Sequence, residues 1–176
     1  MRQRLVILAV LNLFLCIPLF AQDSATTIIL VRHAEKVATP GDDPQLSDAG
    51  VARAELLSRM FENSGLTAIY TTQYVRTKKT AEPIARKLGL QLQTVDAAAS
   101  KKLVEGIVAR HKGRTVLVVG HSNTLPEIIQ AFGGGNISEI SDDDYDNVYI
   151  VTLTQKGKGK TLRMKFFNGP ADQVCK

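Results

Sequence analysis

The sequence predicts an α/β fold, a three-layer α/β/α sandwich with a mostly parallel central sheet and a C-terminal antiparallel hairpin. Three observations carry that expectation. First, Thr26–Val31, Leu66–Tyr70 and Thr115–Val119 are short runs of continuous apolar and β-branched residues, the pattern of strands covered on both faces rather than on one. Second, each run gives way to a polar loop and then to helical apolar spacing, which is the grammar of parallel strands joined by crossover helices. Third, Val148–Thr154 and Thr161–Phe167 are β-like and sit close together, with Gly157 and Gly159 in the turn between them.

The first 21 residues are set apart from this pattern. Arg2 and Arg4 precede an apolar run from Leu5 to Phe20, and no acidic residue occurs before Asp23. That is the layout of a secretory signal, with cleavage expected after Ala21 and a secreted or periplasmic product. Retention as an N-terminal membrane anchor is the alternative, because Leu19 is larger than the residue preferred three positions before a cut. Cys16 follows the bulky Leu15, unlike a lipid-attachment cysteine. Cleavage would remove two of the 22 basic residues and none of the 17 acidic ones, leaving +3. That mild charge suits small anionic substrates and gives no reason to expect nucleic acid, which calls for a clustered basic face. About 155 residues remain, enough for one domain, expected over residues 26–168 with a tail at 169–176. Only Cys175 would survive, so neither a disulfide within the chain nor a cysteine zinc site is expected.

In order, Ser47 is placed to cap a helix whose apolar face runs through Val51, Leu56, Leu57, Met60 and Phe61. After Leu66–Tyr70, a helix from about Val75 to Leu88 ends where Gly89 can take a left-handed turn. Leu90–Val95 is expected as a strand and Ser100–Arg110 as a helix. Thr115–Val119 follows, then a helix capped by Asn123 or Thr124 with Pro126 in its first turn and glycines 133–135 at its end.

Three strand ends carry polar groups. The first presents Arg32 and His33, the second leads through Thr71 and Thr72 to Arg76, and the run Thr115–Val119 ends at Gly120 and His121. In a mostly parallel sheet these gather at one edge, where open α/β sheets bind ligands. Two arginines and two histidines there suit a tetrahedral dianion, since a guanidinium offers paired donors to phosphate oxygens and helix starts add free amides.

Leu-Val-Arg-His-Ala-Glu-Lys, then Thr-Thr-Gln-Tyr-Val-Arg-Thr-Lys-Lys-Thr-Ala-Glu-Pro, then Val-Val-Gly-His-Ser-Asn-Thr resemble, in order, the three signatures of the histidine phosphatase superfamily, the phosphoglycerate-mutase-like fold. Leu46–Gly50, reading Leu-Ser-Asp-Ala-Gly, resembles the family's usual start of the first helix. The resemblance implies a metal-independent phosphomonoester hydrolase without cofactor, in which His33 is the nucleophile and Arg32, Arg76 and His121 hold the phosphoryl oxygens. Its partner is then a phosphorylated small molecule, a small phosphoester or a phosphorylated envelope glycan. A weakly catalytic phosphate-binding module, a phosphomutase and a protein phosphohistidine phosphatase are the alternatives.

The general acid is open. Many members carry a carboxylate about two dozen residues after the second arginine, where this chain has Ser100 and Lys101; Asp96, Glu105 and Glu35 are the candidates. Only 44 residues separate Arg76 from His121, too few for the long lid of the mutases, so water should reach the site. Asp142, Asp143, Asp144 and Asp146 lack the spacing of a calcium loop and are expected to form a solvated one. His111 is expected at the surface near a helix end, and Tyr74 and Tyr145 are candidates for the pocket rim.

Overall fold

The computed structural model describes residues 25–154 and 159–166. The expected signal segment, most of the hairpin turn and the C-terminal tail lie outside the described residues. Ten elements follow in order: β1 (Thr26–Arg32), α1 (Asp48–Phe61), β2 (Leu66–Thr72), α2 (Val75–Leu88), β3 (Leu92–Val95), α3 (Ser100–Arg110), β4 (Thr115–Gly120), α4 (Thr124–Ala131), β5 (Asn147–Leu153) and β6 (Gly159–Lys165). Together the strands make one sheet in the order β3-β2-β4-β1-β5-β6. β1 to β4 run parallel, whereas β5 and β6 are antiparallel additions.

Alternate residues of the same strand feed two cores, as the pleat requires. Ile28 and Leu30 pack with Leu103 and Ile107 of α3 and with Leu125, Ile128 and Ile129 of α4. Ile29 and Val31 pack on the other side with Leu57 and Phe61 of α1 and Ala81, Ile84 and Ala85 of α2. This double covering is why β1 and β4 read as continuous apolar runs and why the fold has three layers.

Placement of the helices also opens the site. The neighbouring strands β1 and β4 are each followed by a helix, α1 on one face and α4 on the other, so the chain diverges above their carboxyl ends and leaves a crevice. Register aligns those ends, with Arg32 opposite Gly120 and Thr71 opposite Val119.

Local chemistry sets the boundaries. The Ser47 hydroxyl accepts from the Gly50 amide at 3.2 Å and starts α1. Gly89 adopts φ +66°, and its amide and that of Leu90 both close on the Ala85 carbonyl. Leu90 is thereby spent on the helix end, so β3 begins at Leu92 rather than at the expected Leu90. Among the described residues no helix is long and apolar enough to cross a membrane.

Gly50 is fixed by packing. A Cβ there would lie 2.1 Å from the backbone oxygen of Glu35, in the segment that leaves His33. Alanine in an unobstructed helix position gains up to ~1 kcal/mol over glycine. Here the clash must dominate, and Gly50→Ala is expected to destabilise the fold by about 1–3 kcal/mol in urea unfolding; a gain in stability would contradict this packing.

Candidate active site

The charged and imidazole residues expected to bind phosphate reach the crevice. Arg32, His33, Tyr74, Arg76 and His121 line a cavity of about 550 Å³, together with Lys36, Gln73, Asp96, Ser122, Asn123, Glu127 and others. His33 and His121 are only 4 % and 6 % exposed, and their ring centres stand 5.4 Å apart, edge on.

His33 is held in one orientation by its own hydrogen bonds. Its backbone amide donates to the Gly120 carbonyl at 2.9 Å, which extends the β1–β4 ladder by one step beyond the strand. Its Nδ1 lies 2.8 Å from the Ala34 carbonyl, an acceptor only, so the ring proton is assigned to Nδ1 and the Nε2 lone pair is free. The Ala34 amide donates to Thr80 Oγ1 at 2.9 Å, and that hydroxyl donates to the Arg76 carbonyl at 2.7 Å, so α2 steadies the segment behind His33. Burial, with smaller contributions from His121, Arg32 and Arg76, lowers the pKa of His33 to about 3 against the pull of the Ala34 hydrogen bond. At neutral pH the imidazole is uncharged and basic at Nε2.

His121 takes the opposite tautomer. Its Nε2 stands 3.0 Å from Thr72 Oγ1, which is 2.9 Å from Thr77 Oγ1, and Thr77 in turn donates to the Tyr74 carbonyl at 2.8 Å. That relay, ending on an acceptor, places the His121 proton on Nε2. Nδ1 then faces Arg76 Nη2 at 3.5 Å. Burial first, then Arg76 and Arg32, lower the pKa of His121 to about 4, with Asp43 opposing. At neutral pH the His121 imidazole is therefore uncharged, and an anion beside it would favour its protonated form.

The two arginines are held by two loops. Arg32 Nη1 donates to the carbonyls of Ser141 and Asp142 at 2.8 and 2.9 Å, and its guanidinium lies 4.1 Å from the Tyr145 ring centre. The acidic loop expected to be merely solvated is thus tied to the site. Arg76 donates to the Asp42 carbonyl at 3.0 Å and stacks over Tyr74 at 4.2 Å. Asp43 pairs with Arg76 at 3.5 Å and accepts from the Val75 amide at 2.8 Å. The first amide of α2 is consequently taken by protein, contrary to the expectation that it is free for ligand. On each arginine Nε is buried and has no hydrogen-bond partner among the described residues.

Of the three expected acids, one reaches the cavity. Asp96 lines it, with Oδ1 accepting from the Ala98 amide at 2.8 Å. Glu35 is instead bound bidentately by Arg53, at 2.8 and 2.5 Å, and does not line the cavity. Burial opposes its ionisation, but the Arg53 hydrogen bonds outweigh that and hold its pKa below the ordinary value. Glu35 is therefore an ionised brace between the first loop and α1, not a proton donor. Glu105 sits on the exposed face of α3, outside the cavity wall. Sequence reasoning missed Glu127, whose helical position in the first turn of α4 aims it at the wall. The relevant signal was its place three residues into the helix that starts beside His121.

Among the described residues no group of three or more metal-ligating side chains occurs. His111, expected at the surface, faces the buried Tyr70 hydroxyl at 2.9 Å, and burial with Arg110 lowers its pKa.

An anion that raises the pKa of His121 must bind with proton uptake. Sulfate keeps its charge between pH 5 and 8, so its affinity is expected to fall as pH rises through the liganded pKa, by up to about tenfold per unit. Titration calorimetry across this range checks it: His121→Gln should flatten the dependence, and a flat wild-type profile would contradict the assignment.

A sequence profile of the histidine phosphatase superfamily (branch 1) matches residues 28–100 and 97–167. No curated protein sequence matches significantly. Solved structures share the fold. Bacillus stearothermophilus YhfR superposes with TM-score 0.69 at 20 % identity, over 82 % of this chain and 99 % of that one. The protein histidine phosphatase SixA complexed with tungstate gives 0.64 at 15 %, over 79 % and 96 %. A mycobacterial glucosyl-3-phosphoglycerate phosphatase gives 0.63 at 12 %, over 82 % and 99 %. With three strand ends supplying Arg32-His33, Arg76 and His121 to one crevice, and with a profile that spans nearly every described element, the chain belongs to the histidine phosphatase superfamily.

Proposed function

We propose that this chain hydrolyses phosphomonoesters through a covalent phosphohistidine on His33. The observation that carries the reading is the hydrogen bond of His33: Nδ1–H donates to the Ala34 carbonyl, which leaves Nε2 free in a cavity walled by Arg32, Arg76 and His121. Nε2 attacks phosphorus, the P–O bond to the leaving group breaks, and water then displaces the imidazole to release phosphate. Phosphoryl transfer demands chiefly positioning and charge neutralisation, which two guanidiniums and a His121 protonated on binding supply without a metal.

The cavity rim favours a hydrophilic leaving group. Gln73, Ser122, Asn123 and Thr124 offer hydrogen-bonding groups, and a second polar recess adjoins at Ser122, Asn123, Glu139 and Asp142. A small phosphoester or a phosphorylated envelope glycan fits that chemistry. Arg2, Arg4 and the apolar run after them support export to the periplasm or exterior, which argues against a cytoplasmic phosphohistidine protein as substrate. A binding module with little turnover is the second reading, and the presence of Ser100 and Lys101 where many members carry a carboxylate favours it.

Hydrolysis of 4-nitrophenyl phosphate in the presence of a chelator separates the two. Wild type is expected to turn over unimpaired by the chelator, His33→Ala to fall to background, and Arg76→Ala to lose about 10²–10³-fold in kcat/KM. Equal rates for wild type and His33→Ala would overturn the proposal; tight phosphate binding without turnover would favour the binding module.

A further inference from the structure

The reaction on an unactivated alcohol ester needs a proton for the departing oxygen, and three carboxylates line the cavity: Asp96, Glu127 and Asp142. Their surroundings divide them. Asp142 lies on the loop that holds Arg32, with Oδ1 3.4 Å from that guanidinium. Asp96 uses Oδ1 to accept the Ala98 amide, and its carbonyl accepts the Ala99 amide, so it builds the turn into α3. Glu127 has no backbone duty of that kind. Its Oε2 accepts from Ser100 Oγ at 3.2 Å, and Ser100 is 4 % exposed at the start of α3. One oxygen is thereby oriented by a buried hydroxyl, leaving Oε1 to carry a proton.

We infer that Glu127, positioned by Ser100, is the general acid and base of this site. This rests on the phosphatase reading above. Glu127 belongs to the turn of α4 that begins at Thr124, whose Oγ1 accepts from the His121 amide at 3.1 Å. The carboxyl and the phosphate-binding imidazole are therefore carried by one rigid unit. The Ser100 hydroxyl reaches across from α3 to this carboxylate on α4.

The steps balance. His33 Nε2 bonds to phosphorus as the ester P–O bond breaks, and the Glu127 carboxyl gives its proton to the leaving alkoxide, releasing the alcohol. The Glu127 carboxylate then takes a proton from the attacking water, the new P–O bond forms, the P–N bond breaks with its electron pair returning to Nε2, and hydrogen phosphate leaves. Glu127 ends protonated.

Leaving-group dependence tests the role, because 4-nitrophenolate departs without a proton and benzyl alkoxide does not. Glu127→Gln is expected to lose at least about 100-fold in kcat/KM on benzyl phosphate and less than about tenfold on 4-nitrophenyl phosphate. Ser100→Ala should show the same selectivity to a smaller degree, and Asp96→Asn should leave the ratio between the substrates unchanged. Equal losses on both substrates in Glu127→Gln, or a selective loss in Asp96→Asn, would overturn the assignment while leaving the phosphohistidine reading intact. A wild type active on the nitrophenyl ester alone would also overturn it. Inactivity of wild type on both would remove this inference and the phosphatase reading together.

Discussion

The structure depends on keeping four cationic or potentially cationic groups, Arg32, His33, Arg76 and His121, together in one crevice. Parallel register makes this unavoidable: once Arg32 lies opposite Gly120, His33 and His121 follow side by side, and Arg76 enters from the next strand's helix. Were both imidazoles charged, two unit charges 5.4 Å apart would repel by about 3 kcal/mol at an effective dielectric near 20. Both imidazoles stay uncharged, chiefly because burial, and secondarily because the neighbouring cations, lower their pKa values. The guanidiniums cannot, so loop carbonyls, carboxylates and tyrosine faces compensate them.

That division of labour has a functional consequence. Uncharged, each imidazole keeps one nitrogen lone pair, which is what the proposed attack by His33 and the proposed proton uptake by His121 both need. The loops that hold the arginines are themselves anchored: Asp43 bridges the first loop to the start of α2, and Lys165 on β6 bonds both Asp144 and Asp146 of the second. The C-terminal hairpin, which carries no signature residue, thus supports the loop that positions Arg32. Its antiparallel strands are part of the site's scaffold.

Much of this was legible in the sequence because the responsible features are local. Continuous apolar runs report double covering, and a polar pair directly after such a run reports a strand end, so Arg32, His33 and His121 could be placed before any coordinates. Gly89 and Ser47 act within one turn of themselves and were equally readable. What escaped depends on contacts between distant segments. Glu35 looked free beside the nucleophile, yet Arg53 sits across from it on α1, 18 positions away. The Asp142 side chain is solvated, as expected, but nothing local reveals that the carbonyls of Ser141 and Asp142 meet a guanidinium 109 and 110 residues earlier. Glu127 was overlooked for the same reason, since the face of α4 that meets the cavity depends on how α3 and α4 pack.

The central claim is that the free nitrogen of His33 takes the phosphoryl group. Rapid quenching of wild type mixed with 4-nitrophenyl phosphate, followed by peptide mass spectrometry under alkaline conditions that preserve phosphohistidine, tests it most directly. The account predicts phosphate on His33 Nε2, formed within the first turnover and absent when His33 is alanine. Turnover with no phosphorylated enzyme at any quench time, or with phosphate on another residue, would contradict it.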